Sequence, residues 1–128
     1  MSKKVISTNK APGAIGPYSQ AVAVGDFIYT SGQIPADPAT GELETSCIKK
    51  ATARSLDNVK AILEEAGASM EQVVKTTVFL TDMNDFANVN EVYATYFDGN
   101  PPARSCVAVA SLPRGVHVEI EVVAYIGK

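Results

Sequence analysis

The chain has 128 residues, 46% of them hydrophobic and 20% charged, enough apolar material for one domain with its own core and too little charge for a disordered segment. With 14 acidic residues against 11 basic ones, a net charge of -3 and no Lys/Arg run longer than two, it offers no electrostatic footprint for a phosphate backbone, so nucleic acid is not expected as the main partner. Met1-Ser2-Lys3-Lys4 leads into no apolar run, so neither signal peptide nor membrane span is expected, and Cys47 and Cys106 with a single His suggest neither a disulfide framework nor a zinc site and fit a reducing cytosol.

Residues 1–128 read as a single domain without linker, repeat or low-complexity segment. Residues 20 to 31 form two short strands around Gly25-Asp26, the second being Phe27-Ile28-Tyr29-Thr30-Ser31. Asp37-Pro38-Ala39-Thr40-Gly41 has the chemistry of a turn. From Thr45 to Ala66 the apolar positions Ile48, Ala51, Leu56, Val59, Ile62 and Leu63 follow helical spacing, with Thr45 or Ser46 as N-cap and Gly67 as the stop. Val73 to Thr81, rich in Val, Thr and Phe, predicts a strand. A second helix runs from Asn84 or Asp85 to Phe97 with Phe86, Val89, Tyr93 and Phe97 on one stripe, and Asn90 off it as a surface amide by default. The fold class is therefore α+β, with two helices packed on one face of a mixed sheet.

Two further strands carry the residues with chemistry. Alternation puts Arg104, Cys106 and Ala108 on one face of Pro102–Val107 and its continuation, and sets Val116, Val118, Ile120 and Val122 opposite His117, Glu119 and Glu121 in the last. The short turn-like link Ser111-Leu112-Pro113-Arg114-Gly115 suggests a hairpin, with Cys106 across from Glu119 or Glu121. Spacing alone does not separate a catalytic Arg/Glu pair from a solvated cross-strand ion pair. The face mixing Arg104, Cys106, His117 and Glu119 with Val123 and Tyr125 is neither core nor ordinary surface, which predicts a symmetric homo-oligomer with clefts at subunit boundaries.

The segments Lys10–Val22, Thr30-Ser31-Gly32-Gln33-Ile34-Pro35 and Pro102–Val107 with the later Glu119 resemble the RidA (YjgF) family, in order and without a large gap from Ile6 to Ile126. The resemblance is to the RidA branch, because Arg104 stands at the substrate-carboxylate position. It implies a chorismate-mutase-like fold and a homotrimer with three intersubunit clefts. It also implies an enamine/imine deaminase that needs no cofactor of its own. Such enzymes hydrolyse 2-iminobutanoate and 2-iminopropanoate, released by serine and threonine dehydratases, to 2-oxo acids and ammonia. The family's functional positions fall on Tyr18, Ser31, Gly32, Asn90, Arg104, Cys106 and Glu119.

Residue chemistry agrees with those roles. A guanidinium holds a carboxylate by two parallel charge-assisted hydrogen bonds, so Arg104 is the anchor. A carboxylate can orient a water and take its proton, a role for which Glu119 and Glu121 compete on spacing and only the resemblance selects Glu119. Cys106 is better read as lending its backbone N–H than as a nucleophile. Ser31 and Gly32 end a strand where a ligand can approach the backbone, and Tyr18 follows the rigid Gly16-Pro17 pair. His117, lacking a partner at ligand spacing, reads as structural or exposed, and Cys47 as without a role. Two alternatives stand beside the deaminase: a non-enzymatic 2-oxo-acid-binding regulatory trimer, and a ribonuclease or translation inhibitor. The acidic charge and the lack of a His pair count against the latter.

Overall fold

The computed structural model describes residues 2–127. Eight regular elements alternate along the chain: β1 (Lys4–Ile6), β2 (Ala21–Val24), β3 (Phe27–Thr30), α1 (Ile48–Glu65), β4 (Val73–Leu80), α2 (Phe86–Tyr96), β5 (Ala103–Ala108) and β6 (Val118–Tyr125). The strands form one six-stranded sheet in the order β1-β2-β3-β6-β4-β5. Only β4 and β5 are parallel, and α2 makes the crossover between them.

Both helices cover the same sheet face. Leu56, Val59, Ile62 and Leu63 of α1 and Val89 and Tyr93 of α2 are buried in one cluster with Ile28, Val78, Leu80, Val118, Ile120 and Val122 of the strands. Each large aliphatic side chain buried there contributes about 1.5–3 kcal/mol relative to exposure. Asn58, fully buried on α1, donates from Nδ2 to the carbonyls of Ile34 (3.2 Å) and Ala36 (3.0 Å) and so fastens the loop after β3 to the helix layer.

The helix starts differ from the expected ones. α1 begins at Ile48, with Cys47 at the N-cap making no side-chain cap bond. The Glu44 carboxylate instead fastens the turn that leads into the helix, accepting from the Ser46 hydroxyl (2.8 Å) and from the backbone N–H groups of Ser46 (3.0 Å) and Cys47 (3.1 Å). Those bonds, led by the Ser46 hydroxyl, hold its carboxyl below the ordinary value. α1 ends as expected, with Gly67 beyond it in the left-handed region at φ 82°. A 3₁₀ turn, Met83–Asp85, precedes α2. β1 was not anticipated; three residues paired with β2 give too short a pattern to read.

The largest correction concerns the last two strands. β5 and β6 do not form a hairpin: β4 lies between them, with Val78 in register with Cys106 on one side and with Ile120 on the other. Paired residues share a sheet face, so Arg104 and Cys106 lie with Thr76, Val78 and Val122 on the helix-covered side. Glu119 and Glu121 lie with Phe79 and Thr77 on the open side. Arg104 and Glu119 thus sit on opposite faces, on strands two spacings or about 10 Å apart, and Arg104 pairs with Thr76 whereas Glu119 pairs with Phe79, which offsets them along the strands by roughly as much again. Within one chain Cys106 is not opposite either glutamate.

Candidate active site

The seven candidate residues gather in two groups. The first is built on the edge strand β5 and on α2. Arg104 projects under α2, where Nη1 donates to Asn90 Oδ1 at 2.6 Å. Its guanidinium carbon lies 4.8 Å from the centroid of the Tyr93 ring and 5.4 Å from that of Phe86. Phe86, Asn90 and Tyr93 fall at i, i+4 and i+7, so one face of α2 surrounds the cation. Asn90 is therefore a half-buried partner of Arg104 and not a surface amide.

β5 also supplies backbone donors. Val109 N–H donates to Leu80 O at 2.7 Å, and ladder bonds alternate along a strand. The N–H groups of Arg104, Cys106 and Ala108 therefore face the free edge of the sheet. Half-buried Cys106 packs against the core. Burial pushes its thiol pKa up, with only partial opposition from Arg104, so the neutral thiol prevails at pH 7.

The second group lies on the open face near the end of β3. Gln33 exchanges two backbone hydrogen bonds with Ile120, N–H to O at 2.8 Å and O from N–H at 3.1 Å, bringing Gly32 beside Glu119. A Cβ at Gly32 would overlap the Glu119 carboxylate, so glycine is what lets that side chain lie against the backbone. Half-buried Glu119 has a raised pKa, first through burial and then through the like charge of Glu121. Among the described residues it makes no ion pair.

Glu119 forms a wall of a cavity of about 380 Å³ that Tyr18, Ser31, Gly32, Ile34 and Arg114 also line. A smaller cavity of about 180 Å³ adjoins it and shares Ile15, Tyr18, Gly32, Ile34 and Arg114. The Ser31 hydroxyl donates to Ser19 O at 2.6 Å, which leaves it as an acceptor toward the cavity. Tyr18 is half exposed on the preceding loop.

Four contributors were not foreseen. Buried Gln20 ties the loop that carries Tyr18: its Oε1 accepts from Thr8 N–H at 2.7 Å, and its Nε2 donates to the carbonyls of Thr8 (3.0 Å), Ala11 (3.2 Å) and Pro12 (2.7 Å). Arg114 lines both cavities with a left-handed backbone, φ 58° and ψ 19°. Phe86 and Tyr93 read as core-stripe residues; only their spacing around Asn90 hints at a second duty. His117 is exposed, with Nδ1 3.2 Å from Thr81 Oγ1, and it lines neither cavity.

The fold, with a cationic edge strand on one side and a carboxylate-walled cavity on the other, is that of an α+β protein with two helices on one face of a six-stranded mixed sheet. The family model described as endoribonuclease L-PSP matches residues 8–126, and the chain belongs to that family, also called RidA or YjgF. A RutC family protein of Pyrococcus abyssi is 58% identical over 98% of both chains. The mouse protein named 2-iminobutanoate/2-iminopropanoate deaminase is 54% identical over 98% of this chain and 93% of its own. Among solved structures, Escherichia coli TdcF with bound serine superposes with a TM-score of 0.94 at 50% identity, covering 97% of this chain and 99% of that one. No helix among the described residues is long and apolar enough to cross a membrane.

Proposed function

We propose that this protein is an enamine/imine deaminase that hydrolyses short 2-imino acids, 2-iminobutanoate and 2-iminopropanoate, to 2-oxo acids and ammonia. The observation that carries this reading is Glu119: a half-buried carboxylate without an ion-pair partner among the described residues, its pKa raised, in the wall of a cavity sized for a small molecule. A carboxylate shifted toward neutral pH can both take and return a proton. The mouse relative named for this activity, at 54% identity, supports it.

The roles follow from the geometry. The guanidinium edge of Arg104 not engaged by Asn90, with the outward Cys106 N–H, takes the substrate carboxylate. With the imine nitrogen protonated, Glu119 accepts a proton from water as its oxygen bonds to the iminium carbon and the C=N electron pair moves to nitrogen, which gives a neutral carbinolamine. The proton held by Glu119 then passes to the amino nitrogen, the C–N bond breaks with its electron pair leaving on ammonia, and the hydroxyl proton returns to the Glu119 carboxylate as the C=O forms, to be released to ammonia or water. Tyr18, Ser31 and Gly32 shape the pocket. No electron acceptor enters the balance.

Arg104 and Glu119 occupy opposite faces of one sheet, so one chain supplies two half-sites. We read the working unit as a homotrimer in which the β5 edge of one subunit closes the Tyr18–Glu119 cavity of the next. The exposed Phe27, Tyr29, Val107 and Tyr125 on the open face favour such burial. Arg104→Ala and Glu119→Gln should each be inactive alone. Mixed and reassembled in equal amounts, they should recover about one quarter of native activity, since random assembly leaves that share of clefts intact. No recovery would confine the site to one chain.

A serine or threonine dehydratase in the cytosol would supply the substrate. The direct test couples this protein to a threonine dehydratase with semicarbazide trapping the imine. The native protein should divert imine to 2-oxobutyrate and Arg104→Ala should not. If neither changes the partition while 2-oxobutyrate still binds through Arg104, the protein is an oxo-acid sensor built on the same residues. The family model's description as an endoribonuclease is the support for ribonuclease chemistry, but the half-sites do not favour it: the lone His117 lines neither cavity and has no second imidazole for general acid-base cleavage.

A further inference from the structure

The Arg104 guanidinium is held without a counter-ion. Among the described residues no carboxylate pairs with it; its neighbours are the amide of Asn90 and the rings of Tyr93 and Phe86. A carboxylate partner would occupy the donor edge and cancel the charge that an anionic ligand needs. Aromatic faces attract a cation through their quadrupole yet accept none of its in-plane N–H bonds, so the full charge and the open edge survive.

Tyr93 is suited to this task by its own anchoring. It is 7% exposed, and its hydroxyl lies 2.7 Å from Oγ1 of Thr76, which is fully buried. Thr76 is the β4 residue in register with Arg104 on β5. Strand, ring and cation therefore close a small triangle: β4 fastens the Tyr93 hydroxyl, and the Tyr93 ring backs the guanidinium that β5 projects. Phe97 supports the ring, with centroids 4.6 Å apart. An arginine side chain otherwise samples many rotamers, and ordering it at the moment of binding would cost affinity.

We propose that Tyr93, assisted by Phe86, is a positioning residue that holds Arg104 ordered and free of a counter-ion, so that its open edge is ready for the substrate carboxylate. This inference rests on the imine-deaminase reading only for the identity of the bound anion; the ordering of Arg104 is a property of the chain itself.

The experiment has two readouts. The first is the Arg104 Nε–Hε signal in ¹H–¹⁵N NMR spectra, assigned through its loss in Arg104→Lys. Stacked on two rings, it should lie upfield of free arginine, move downfield in Tyr93→Leu and Phe86→Leu, and stay near its native place in Tyr93→Phe. The second is affinity for 2-oxobutyrate by calorimetry, together with KM for the imine. Tyr93→Leu should weaken both about ten-fold, the scale of a partly desolvated cation–π contact, with a smaller effect on kcat. Phe86→Leu, at a half-buried position, should act in the same direction if Tyr93→Leu folds poorly. Tyr93→Phe, which keeps the ring and gives up the Thr76 bond, should recover most of the lost affinity despite a lower Tm. A native signal at the free-arginine position, or ring-deleted variants that fold and bind 2-oxobutyrate as the native protein does, would overturn the proposal. If the native protein shows the upfield signal and ring-dependent 2-oxobutyrate binding but hydrolyses no imine, the deaminase reading fails and the positioning role stands.

Discussion

The Glu119 carboxylate lies against the backbone of Gly32, in space that any β-carbon there would enter. Not only the carboxylate but also Glu119 Cγ would stand within 2.9 Å of that added atom. Turning the carboxylate alone cannot relieve the contact; the whole side chain must take another rotamer. The contact joins Ser31-Gly32, just after β3, to the proposed base on β6, so the glycine has a steric purpose where its backbone needs no left-handed conformation.

Gly32→Ala should therefore be a selective lesion of activity. Displacing the base by about 1 Å or more is expected to lower kcat on the order of 100-fold. The fold should lose no more than about 1 kcal/mol, because the side chain turns toward an open cavity. Imine turnover measured beside a denaturation curve separates the two effects. A large stability loss with proportionate loss of activity would remove the special meaning of the contact.

The raised pKa of Glu119 gives opposite signs for stability and activity. A carboxyl that binds its proton more tightly when folded favours folding at low pH, and that contribution is lost as pH rises from the ordinary carboxylate range through the raised native value. Glu119→Gln should therefore raise Tm at pH 7 while abolishing turnover, with the Tm gain vanishing below about pH 4. As the proposed base Glu119 acts ionised, so kcat/KM should climb with pH through the same raised value. Glu121→Gln removes the neighbouring like charge and should move that acidic limb to lower pH with the maximum largely kept. An unmoved limb would mean that Glu121 does not act on the base.

Alternation within each strand was legible in the sequence: Arg104 shares a face with Cys106, and Glu119 with Glu121. Which face each pair occupies was not. That depends on the partner of each strand, and the central β4, with no local signal for its two neighbours, separates strands that a short link made look like a hairpin. An inward face bearing Arg104 and Cys106 also mimics an open one, because it lies at the sheet edge, where α2 covers it with Asn90 and two rings instead of aliphatic core. Asn90 itself sits four residues from Phe86 and three from Tyr93, a spacing that puts it beside that stripe and not on the solvent side. The helices, by contrast, were visible because 3.6-residue periodicity is a local property that needs no partner.

Cys106 should prove dispensable as a thiol. Burial raises its pKa, and hydrolysis needs no covalent intermediate. Cys106→Ser preserves the outward backbone N–H and is expected to keep turnover within about two-fold of native, whereas a thiolate nucleophile would make the same change cost several orders of magnitude. Treatment with a thiol-alkylating reagent gives a complementary result: loss of activity in the native protein but not in Cys106→Ser would reflect bulk placed in the pocket.

Arg114 joins a stability penalty to a useful charge. At φ 58° and ψ 19° it is the one non-glycine residue in the left-handed region among those described, just before Gly115 at φ 75°. That conformation costs an L-residue about 1–2 kcal/mol, part of which glycine offsets by its freer unfolded chain. Arg114→Gly should thus stabilise the fold by roughly 0.5 kcal/mol, a small rise in Tm. The same change removes a cation from the lining of both cavities. Capture of an anionic imino acid should slow, so kcat/KM falls while kcat holds, and the deficit shrinks as salt screens the native field. Higher Tm with lower, salt-sensitive kcat/KM would show strain retained to keep a charge at the pocket. A lower Tm would show that contacts of the Arg114 side chain outweigh its backbone cost.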